Sequence, residues 1–268
     1  MEYRLNQDYH IHSKLSLCSN CDEQLPRHIL QYAEDNGFEQ ICLTNHFWDA
    51  SVPDMSDWYR IQNYEHIAQD LPLPQSDKVT FKFGCETEMD KHFRIGIARE
   101  HFELFDFIII PTTHLNMMGF TLDEEDDPLE RRAQLYVKRF AKLLDMDLPE
   151  NKIGIAHLAC DLISPVWEGH IKVLDMIPDS TFIELFDGAR EKKLGIELNV
   201  LIKLYSEEEF PHIMRPFVIA KERGCRFYFG SDAHNPEERV RARADFAKMR
   251  DYLGLEESDR FVPSAFAK

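Results

Sequence analysis

The segment Asp8-Tyr9-His10-Ile11-His12 carries two histidines at alternate positions near the beginning of the chain. Alternate residues of a strand face the same side, so this spacing predicts two imidazoles on one face of a first β-strand. Imidazole is a common ligand of first-row metal ions, and two such side chains can hold a shared ion. The pair predicts a metal site, to which other parts of the chain must add ligands.

Further candidate ligands occur where other predicted strands end. They are His46 in LTNH, Glu86 in FGCE, His114 in IIPTTH, His157 in IGIAH, and Asp232 with His234 in FGSDAH. With His10 and His12 they make eight ligands, more than the four that one ion normally takes from a protein. We therefore expect two or three divalent ions, Zn, Mn or Fe, and the two oxygens of Glu86 allow it to bridge two of them.

Cys18 is a possible further metal ligand. It follows His12 by six residues, on a loop expected to overhang the site. Cys18 and Cys21 have the spacing of a zinc knuckle, but a structural zinc site needs a second pair of this kind, and the sequence contains none. Contact between Cys18 and a metal of the main site is the remaining expectation.

Short β-rich runs alternate with helical periodicity seven times along the chain. Strands are predicted near 8–12, 41–45, 80–86, 107–112, 153–156, 195–199 and 226–231, and helices near 23–36, 57–70, 128–145, 169–176, 207–223 and 236–253, with a short one near 180–192. This alternation predicts an α/β fold with a parallel sheet, either open or closed into a barrel. The candidate ligands favour the barrel, because its carboxyl-terminal strand ends surround one site.

Local signals mark several helix ends. Asn235 followed by Pro236 is typical of a helix start, and Gly37 and Gly224 stand where helices are expected to end. Pro216 interrupts the apolar pattern of the predicted helix 207–223, so a kink or break is expected there. The length of 268 residues suits one large domain, and residues 1–268 are predicted to form it.

The charge balance restricts the partners. There are 31 basic and 48 acidic residues, a formal net charge of −17, which disfavours nonspecific binding to nucleic acid or to an anionic membrane. A small phosphorylated substrate would need a local positive centre, such as bound metal ions. The sequence has no apolar run of roughly 20 residues and no signal-peptide pattern, so a soluble, cytoplasmic protein is expected. The oligomeric state stays open.

The ordered set of motifs resembles the PHP (polymerase and histidinol phosphatase) family of metal-dependent phosphoesterases, in particular its stand-alone histidinol-phosphatase-like branch. DYHIHS is similar to the first motif of the family, LTNH to the second, GCE to the bridging-glutamate motif, and IAHLA and GSDAH to later motifs. The resemblance extends from residue 8 to about 234. It implies a distorted TIM-like (β/α)7 barrel.

The resemblance also implies how the ligands are shared among ions. One ion would be held by His10, His12, Glu86 and Asp232, a second by Glu86, His114 and His157, and a third by His46 and His234. Cys18 stands where the family often has a His or an acid of the third site, which leaves the occupancy of that site open. Asn45 replaces a frequent aspartate, and IELN resembles a strand-end motif of this branch, in which Glu197 and Asn199 would support ligands.

The implied activity is hydrolysis of a small phosphate monoester by a metal-activated hydroxide, with histidinol phosphate as the leading substrate. Asp232, His234 and Glu86 are the catalytic candidates, and His234 or a neighbouring acid would protonate the leaving oxygen. Arg190, and after it Arg94, are the candidates for binding the phosphate.

Three alternatives stay open. A related phosphoesterase could act on another phosphorylated metabolite or on a nucleotide. Amidohydrolases also begin with His-x-His and end with a strand-end aspartate, but Glu86 stands where a lysine often bridges their metals, and the Asp-x-His ending favours the phosphoesterase. A non-catalytic, metal-stabilised PHP-like binding module is the third alternative, and such a module would be expected to have lost ligands.

Overall fold

The computed structural model describes residues 1–19 and 21–267, which form an α/β fold. The strands in these residues are β1 (Gln7–Ile11), β2 (Gln40–Leu43), β3 (His46–Phe47), β4 (Thr80–Phe83), β5 (Cys85–Thr87), β6 (Ile108–Pro111), β7 (Ile153–Ala156), β8 (Gly195–Leu198) and β9 (Arg226–Phe229). One sheet has the order β1-β2-β4 and a second the order β3-β5-β6-β7-β8-β9, and every pairing is parallel. The predicted α/β class is confirmed.

Helices follow most of the strands. They are α1 (Pro26–Asp35), α2 (Tyr64–Ile67), α3 (Leu129–Asp145), α4 (Gly169–Met176), α5 (Asp179–Glu191), α6 (Phe210–Glu222) and α7 (Pro236–Leu253). In α3 one apolar face is buried, with Ala133, Tyr136 and Phe140 in the core. This burial explains why helical periodicity located α3 well.

The predicted helix 57–70 is wrong over most of its length. Only Tyr64–Ile67 is α-helical, and a short 3-10 turn, Ala68–Asp70, follows it. The preceding residues turn back instead, because the Trp48 amide donates a hydrogen bond to the Gln62 carbonyl oxygen at 2.9 Å. The side chain of Asn63 then caps α2 by accepting from the His66 amide, so the helix can begin only there.

The predicted strand 80–86 is divided between the two sheets as β4 and β5, and β3 lies just beyond the predicted strand 41–45, which contains β2. At Gly84, between β4 and β5, a Cβ atom would lie 2.4 Å from the Phe107 carbonyl oxygen and 2.9 Å from Cys42 Sγ. Glycine therefore permits the close approach at which the chain passes from one sheet to the other. All seven predicted runs contain strand, and the run 80–86 is interrupted at Gly84.

The carboxyl end of β1 lies beside that of β9. The Asp232 amide donates a hydrogen bond to the His10 carbonyl oxygen at 2.8 Å, and the His12 amide donates to the Ala233 carbonyl oxygen at 3.1 Å. Residues from the two ends of the chain are thereby adjacent. The side chains that follow both strands can reach a common space.

The faces of the strands pack into two sets of apolar side chains. A compact cluster drawn from both sheets contains Tyr9, Cys42, Phe107, Ile109, Ala156, Tyr228, Phe261 and Phe266. On the opposite face of β6, Ile108 and Ile110 belong to the larger core that the helices cover. Because residues of a strand alternate in direction, this single strand contributes to both cores.

The helix ends follow the sequence signals in part. Asn235 caps α7 by accepting a hydrogen bond from the Glu238 amide, with Pro236 in the first turn. Gly37 and Gly224 have φ angles of 72° and 77° after α1 and α6, the left-handed conformation that glycine adopts readily. Of the kink or break expected at Pro216, the break is wrong, because α6 continues through it with buried residues on both sides, and the kink stays a prediction.

Within residues 1–19 and 21–267, none of the helices combines the length and the apolar character that crossing a membrane requires.

Candidate metal centre

Six of the eight predicted ligands line one cavity of about 340 Å³, and the other two, His10 and His12, form a cluster with Glu86 and Asp232 of its lining. The strands position them through their carboxyl-terminal ends. His10 is on β1 and His12 follows it, His46 begins β3, Glu86 is on β5, His114 and His157 follow β6 and β7, and Asp232 and His234 follow β9. The ligands that the sequence predicts at the strand ends are therefore close together in the structure.

Glu86 is at the centre of the group. Its Oε2 atom lies 2.9 Å from His46 Nδ1 and 3.3 Å from Nε2 of both His10 and His12. Its Oε1 atom lies 3.3 Å from His157 Nε2. One buried carboxylate thus faces four imidazoles through its two oxygens, an arrangement suited to bridging two ions.

Asp232 completes a four-ligand cluster with His10, His12 and Glu86. Asp232 Oδ1 lies 2.9 Å from His12 Nε2 and 3.4 Å from His10 Nε2, and the ligand atoms of all four residues lie within 4.8 Å of one another. Asp232 has a φ angle of 51°, and His157 has one of 60°. Such left-handed backbone is uncommon outside glycine, although aspartate and histidine adopt it more readily than most residues.

A second cluster contains His114, His157 and Cys160, whose ligand atoms also lie within 4.8 Å of one another. Glu88 Oε2 lies 2.8 Å from His114 Nδ1, and Arg139 in turn donates to Glu88 Oε1 at 3.0 Å. This contact leaves His114 Nε2 facing the cavity. Sequence reasoning missed Cys160, and the available signal was its spacing of three residues from His157.

A third cluster contains His12, His46 and His234. The rings of His12 and His234 are stacked, with centroids 4.3 Å apart. Cys18 lines the same cavity but belongs to none of the metal-type clusters found among the described residues. Metal contact by Cys18 therefore stays a prediction.

Glu197 holds two ligand-bearing segments. Its Oε1 atom lies 2.6 Å from His10 Nδ1, and its Oε2 atom accepts a hydrogen bond from the His157 amide at 3.2 Å. These contacts direct His10 Nε2 toward Glu86 and Asp232. Asn199, two residues later, instead lines a neighbouring recess together with Cys160.

Asn45 supports the site from the other side. Its Oδ1 atom accepts hydrogen bonds from the Ser13 amide at 2.7 Å and from Ser16 Oγ at 3.0 Å. Ser16 Oγ lies 2.9 Å from His12 Nδ1, so Asn45 orients His12 through Ser16. Ser16 was not singled out in the sequence, since a serine four residues after a ligand carries no specific signal.

The charges in the cluster oppose the effect of burial. Burial alone would raise the pKa of Glu86, but the facing His46 and His10 outweigh it and hold that pKa well below its usual range. Burial likewise disfavours charge on His157, yet the facing carboxylate of Glu86 and the charges of Glu197 and Asp232 raise its pKa to about 9. The metal-free site is therefore an array of carboxylates paired with imidazoles.

His234 and Cys160 respond differently. Burial, together with the neighbouring His12, lowers the pKa of His234 to about 4, so its imidazole is neutral near pH 7. A neutral imidazole can donate a lone pair to a metal but has no acidic proton to give. Burial raises the pKa of the Cys160 thiol to about 12 in the absence of an ion.

Several buried polar atoms in the site lack an aligned hydrogen-bond partner among the described residues. They are Glu86 Oε1 and Oε2, His46 Nδ1, His114 Nε2, His157 Nε2, Asp232 Oδ1 and His234 Nε2. Buried polar atoms are nearly always paired, and nitrogen and carboxylate oxygen donors that converge in this way are those that bind Zn, Mn or Fe. The donor set fits a centre of two or three divalent ions, as predicted.

The predicted substrate-binding arginines do not line this cavity. Arg190, near the end of α5, lines a separate recess with Lys193 and Arg226. Because α5 leads into β8, its last turn lies at the amino ends of the strands, opposite the metal-type clusters. Arg94 is held by Asp90, 2.7 Å away, and by Asp54. Both assignments are corrected.

The rest of the described cavity wall combines apolar and polar side chains. It contains Cys18, Trp58, Tyr59, Glu88, Asn116, Met117 and Leu162. In the part of the chain that the structure describes, no arginine or lysine lines this cavity. A negatively charged ligand would have to be neutralised by bound ions.

No family model matches the chain. In sequence, the chain is 34% identical over 103 residues to a histidinol-phosphatase of Lactococcus lactis subsp. lactis (strain IL1403). That alignment covers 38% of this chain, and the chain spans only 37% of the length of the relative.

In fold, the chain is similar to the crystal structure of a histidinol phosphate phosphatase (HISK) from Lactococcus lactis subsp. lactis Il1403, complexed with Zn, L-histidinol and phosphate. The TM-score is 0.62 and the identity 19%, with 96% of this chain and 98% of the other covered. Partial sequence similarity and nearly complete similarity in fold thus both involve histidinol phosphatases. The resemblance to this branch that the motifs predict is confirmed.

Proposed function

We propose that this chain is a metal-dependent phosphoric monoester hydrolase that acts on histidinol phosphate. The observation that carries the proposal is the cluster of His10, His12, Glu86 and Asp232, whose ligand atoms lie within 4.8 Å of one another. The similarity to histidinol phosphatases supports the substrate. The proposal includes a single domain over residues 1–268 in the cytoplasm. It also includes one distorted TIM-like barrel, supported by the hydrogen bonds between the ends of β1 and β9.

The residues available for each ion follow from the clusters. One ion would take His10, His12, Glu86 and Asp232, a second would take Glu86, His114 and His157, and a third would take His46 and His234. Divalent ions in such a centre supply Lewis-acid chemistry, activating water and neutralising charge on a phosphoryl group.

Glu197, Glu88 and Ser16 would orient the ligands. A hydrogen bond from His10 Nδ1 to Glu197 fixes the tautomer whose Nε2 lone pair faces the site, and Glu88 does the same for His114. Orienting partners of this kind commonly contribute 10- to 100-fold to metal affinity or activity.

Asp232 is the proposed proton acceptor. Its side chain is 28% exposed, whereas that of Glu86 is 1% exposed, so Asp232 is the carboxylate that a water in the cavity can reach. Neighbouring His10 and His234 outweigh the effect of burial and hold the pKa of Asp232 well below its usual range, which keeps it ionised. His234, neutral near pH 7, is proposed as a ligand rather than the proton donor.

The cavity wall supports a substrate whose organic part is not anionic. Glu88 and the aromatic Trp58 and Tyr59 line the space beside the clusters, and the described wall contains no arginine or lysine. Histidinol carries an ammonium group and an imidazole, which suit the aromatic rings of Trp58 and Tyr59. Nucleotides, with additional negative charge, are expected to be poorer substrates.

The test is release of inorganic phosphate by the purified chain after metal removal and reloading with Zn²⁺, Mn²⁺ or Fe²⁺. Histidinol phosphate is compared with other phosphorylated metabolites and nucleotides, and metal-dependent release that is fastest from histidinol phosphate is expected. A metal-loaded protein that hydrolyses none of them would overturn the proposal and favour a non-catalytic module.

The Glu86→Gln variant is expected to abolish hydrolysis, because it removes the charge shared by four imidazoles. Glu208→Gln, a change on an exposed loop, is the matched control and should retain activity. Full activity in Glu86→Gln would contradict the bridging role.

A further inference from the structure

The sulfur of Cys160 lies beside the second cluster. Cys160 Sγ and one ring nitrogen each of His114 and His157 lie within 4.8 Å of one another. The Cys160 amide donates a hydrogen bond to the His157 carbonyl oxygen at 3.2 Å, so a tight turn folds this cysteine back toward the imidazole. Its position is therefore set by the same segment that positions His157.

The two histidines of this cluster indicate a missing ligand. His114 is 8% exposed and His157 is 6% exposed, and the Nε2 atoms of both are buried without a hydrogen-bond partner among the described residues. Glu88 occupies the other nitrogen of His114. Two buried, unpaired nitrogens that face one sulfur are most simply satisfied by a metal ion.

The nearest polar contact of the sulfur is weak. Thr113 Oγ1 lies 3.7 Å from Cys160 Sγ, and the Thr113 hydroxyl donates its hydrogen to the His157 carbonyl oxygen at 2.6 Å. Thr113 can therefore accept from a thiol but has no second hydrogen to offer a thiolate. The hydroxyl does not compete with a metal for the sulfur lone pairs.

We infer that Cys160 binds, as a thiolate, the ion held between His114 and His157, and that with Glu86 it completes a four-ligand shell. This inference rests on the proposed metal centre. On binding, the S–H bond breaks, its proton passes to solvent, and the sulfur lone pair forms the bond to the ion without a change of oxidation state.

A thiolate makes this position chemically different from the first cluster. Two imidazoles, a carboxylate and a thiolate favour Zn²⁺ over Mn²⁺, which prefers oxygen ligands. The cluster of His10, His12, Glu86 and Asp232 has no sulfur donor. The centre is therefore expected to keep Zn²⁺ at the Cys160 position even when Mn²⁺ is supplied in excess.

The test uses Co²⁺ added to the metal-free, full-length protein, because a cobalt–thiolate bond gives a near-ultraviolet charge-transfer band. Wild type and Cys21→Ser are expected to show the band, and Cys160→Ser is expected to lose it. Cys21 is the control, since this free cysteine belongs to none of the metal-type clusters found among the described residues. In Cys160→Ser, the affinity for zinc at the position between His114 and His157 should also fall, by at least the 10- to 100-fold typical of losing an orienting partner.

A second measurement does not depend on the folding of a variant. In the wild type, alkylation of Cys160 should be slower with Zn²⁺ bound than in the metal-free protein, as read by peptide mass spectrometry, while alkylation of Cys21 should not depend on zinc. Metal binding at full stoichiometry without the band, or a band lost only in Cys18→Ser, would overturn the inference and leave the proposed centre intact. Absence of any tight metal binding would overturn the centre itself.

Discussion

Glu197 Oε1 lies 2.6 Å from His10 Nδ1, and both side chains are completely buried. The two residues come from β8 and β1, 187 positions apart. A Cβ atom at Gly230, which follows β9, would lie 2.1 Å from Glu197 Oε1 and 2.6 Å from His10 Cβ. Glu197 and His10 can therefore meet only because residue 230 is a glycine. Glu197 orients a ligand without facing the ions itself.

Loss of the Glu197 charge should weaken metal binding. In Glu197→Gln the side chain keeps an oxygen acceptor for His10 but loses the carboxylate that raises the basicity of the imidazole. Metal affinity is expected to fall about 10- to 100-fold, measured by competition with a chelator of known affinity. Glu184→Gln, an exposed change on α5, is the control. Equal affinity in wild type and Glu197→Gln would contradict the orienting role.

Metal binding should release protons at neutral pH. In the metal-free protein the pKa of His157 is raised to about 9, so below that pH an ion must displace its proton. Apparent metal affinity is therefore expected to rise as the pH increases from 7 toward 9. Calorimetry in buffers of different ionisation enthalpy measures the protons released.

The same titration in Cys160→Ser separates the proton of the thiol from those of the imidazoles. Binding without proton release at pH 7 would show that the imidazoles are already neutral before the metal binds. That result would contradict the charge balance described for the metal-free site.

The candidate centre was largely predictable because it obeys a local rule. The carboxyl ends of parallel strands meet at one edge, so a His or an acid at each strand end is informative without any knowledge of long-range contacts. His10, His157 and Asp232 are located by this rule alone.

What the sequence did not reveal depends on contacts between distant segments. Cys160 becomes a candidate ligand only once the turn after His157 is known, and Glu88 only once His114 is seen beside it. The misassigned helix 57–70 failed because Gln62 is held by Trp48 from another segment. Arg190 was misplaced because a helix turn can lie at either end of a sheet, and spacing alone does not say which.

The two arginines offer a test of these corrections. Arg190→Ala and Arg94→Ala should leave the KM for histidinol phosphate unchanged, since neither arginine lines the cavity in the described structure. Arg94→Ala is expected to lower the melting temperature, because Asp90, 1% exposed, loses its ion-pair partner. Steady-state kinetics and thermal unfolding measure the two effects. A large increase in KM for either variant would return that arginine to the substrate site.

Outside the centre, His101 and Asp49 form a pH-dependent contact. His101 Nδ1 contacts Asp49 Oδ2, and Asp49 also accepts from the Ser51 amide at 2.9 Å, just after β3. The hydrogen bond to Asp49 raises the pKa of His101. Burial would raise the pKa of Asp49, but the His101 hydrogen bond and the Ser51 contacts outweigh it and lower that pKa.

The sign of the pH effect follows from the raised pKa of His101. The folded state binds the imidazole proton more tightly than the unfolded state, so the stabilisation is fully present below about pH 6.5, the ordinary value for histidine. It is lost as the pH rises through the raised pKa. The melting temperature of His101→Gln should therefore fall furthest below that of wild type near pH 6, and the difference should shrink toward pH 9. In an Asp49→Asn background, the effect of His101→Gln on the melting temperature should not depend on pH. In the wild-type background, an effect of His101→Gln that stays constant across the pH range would contradict the ion pair.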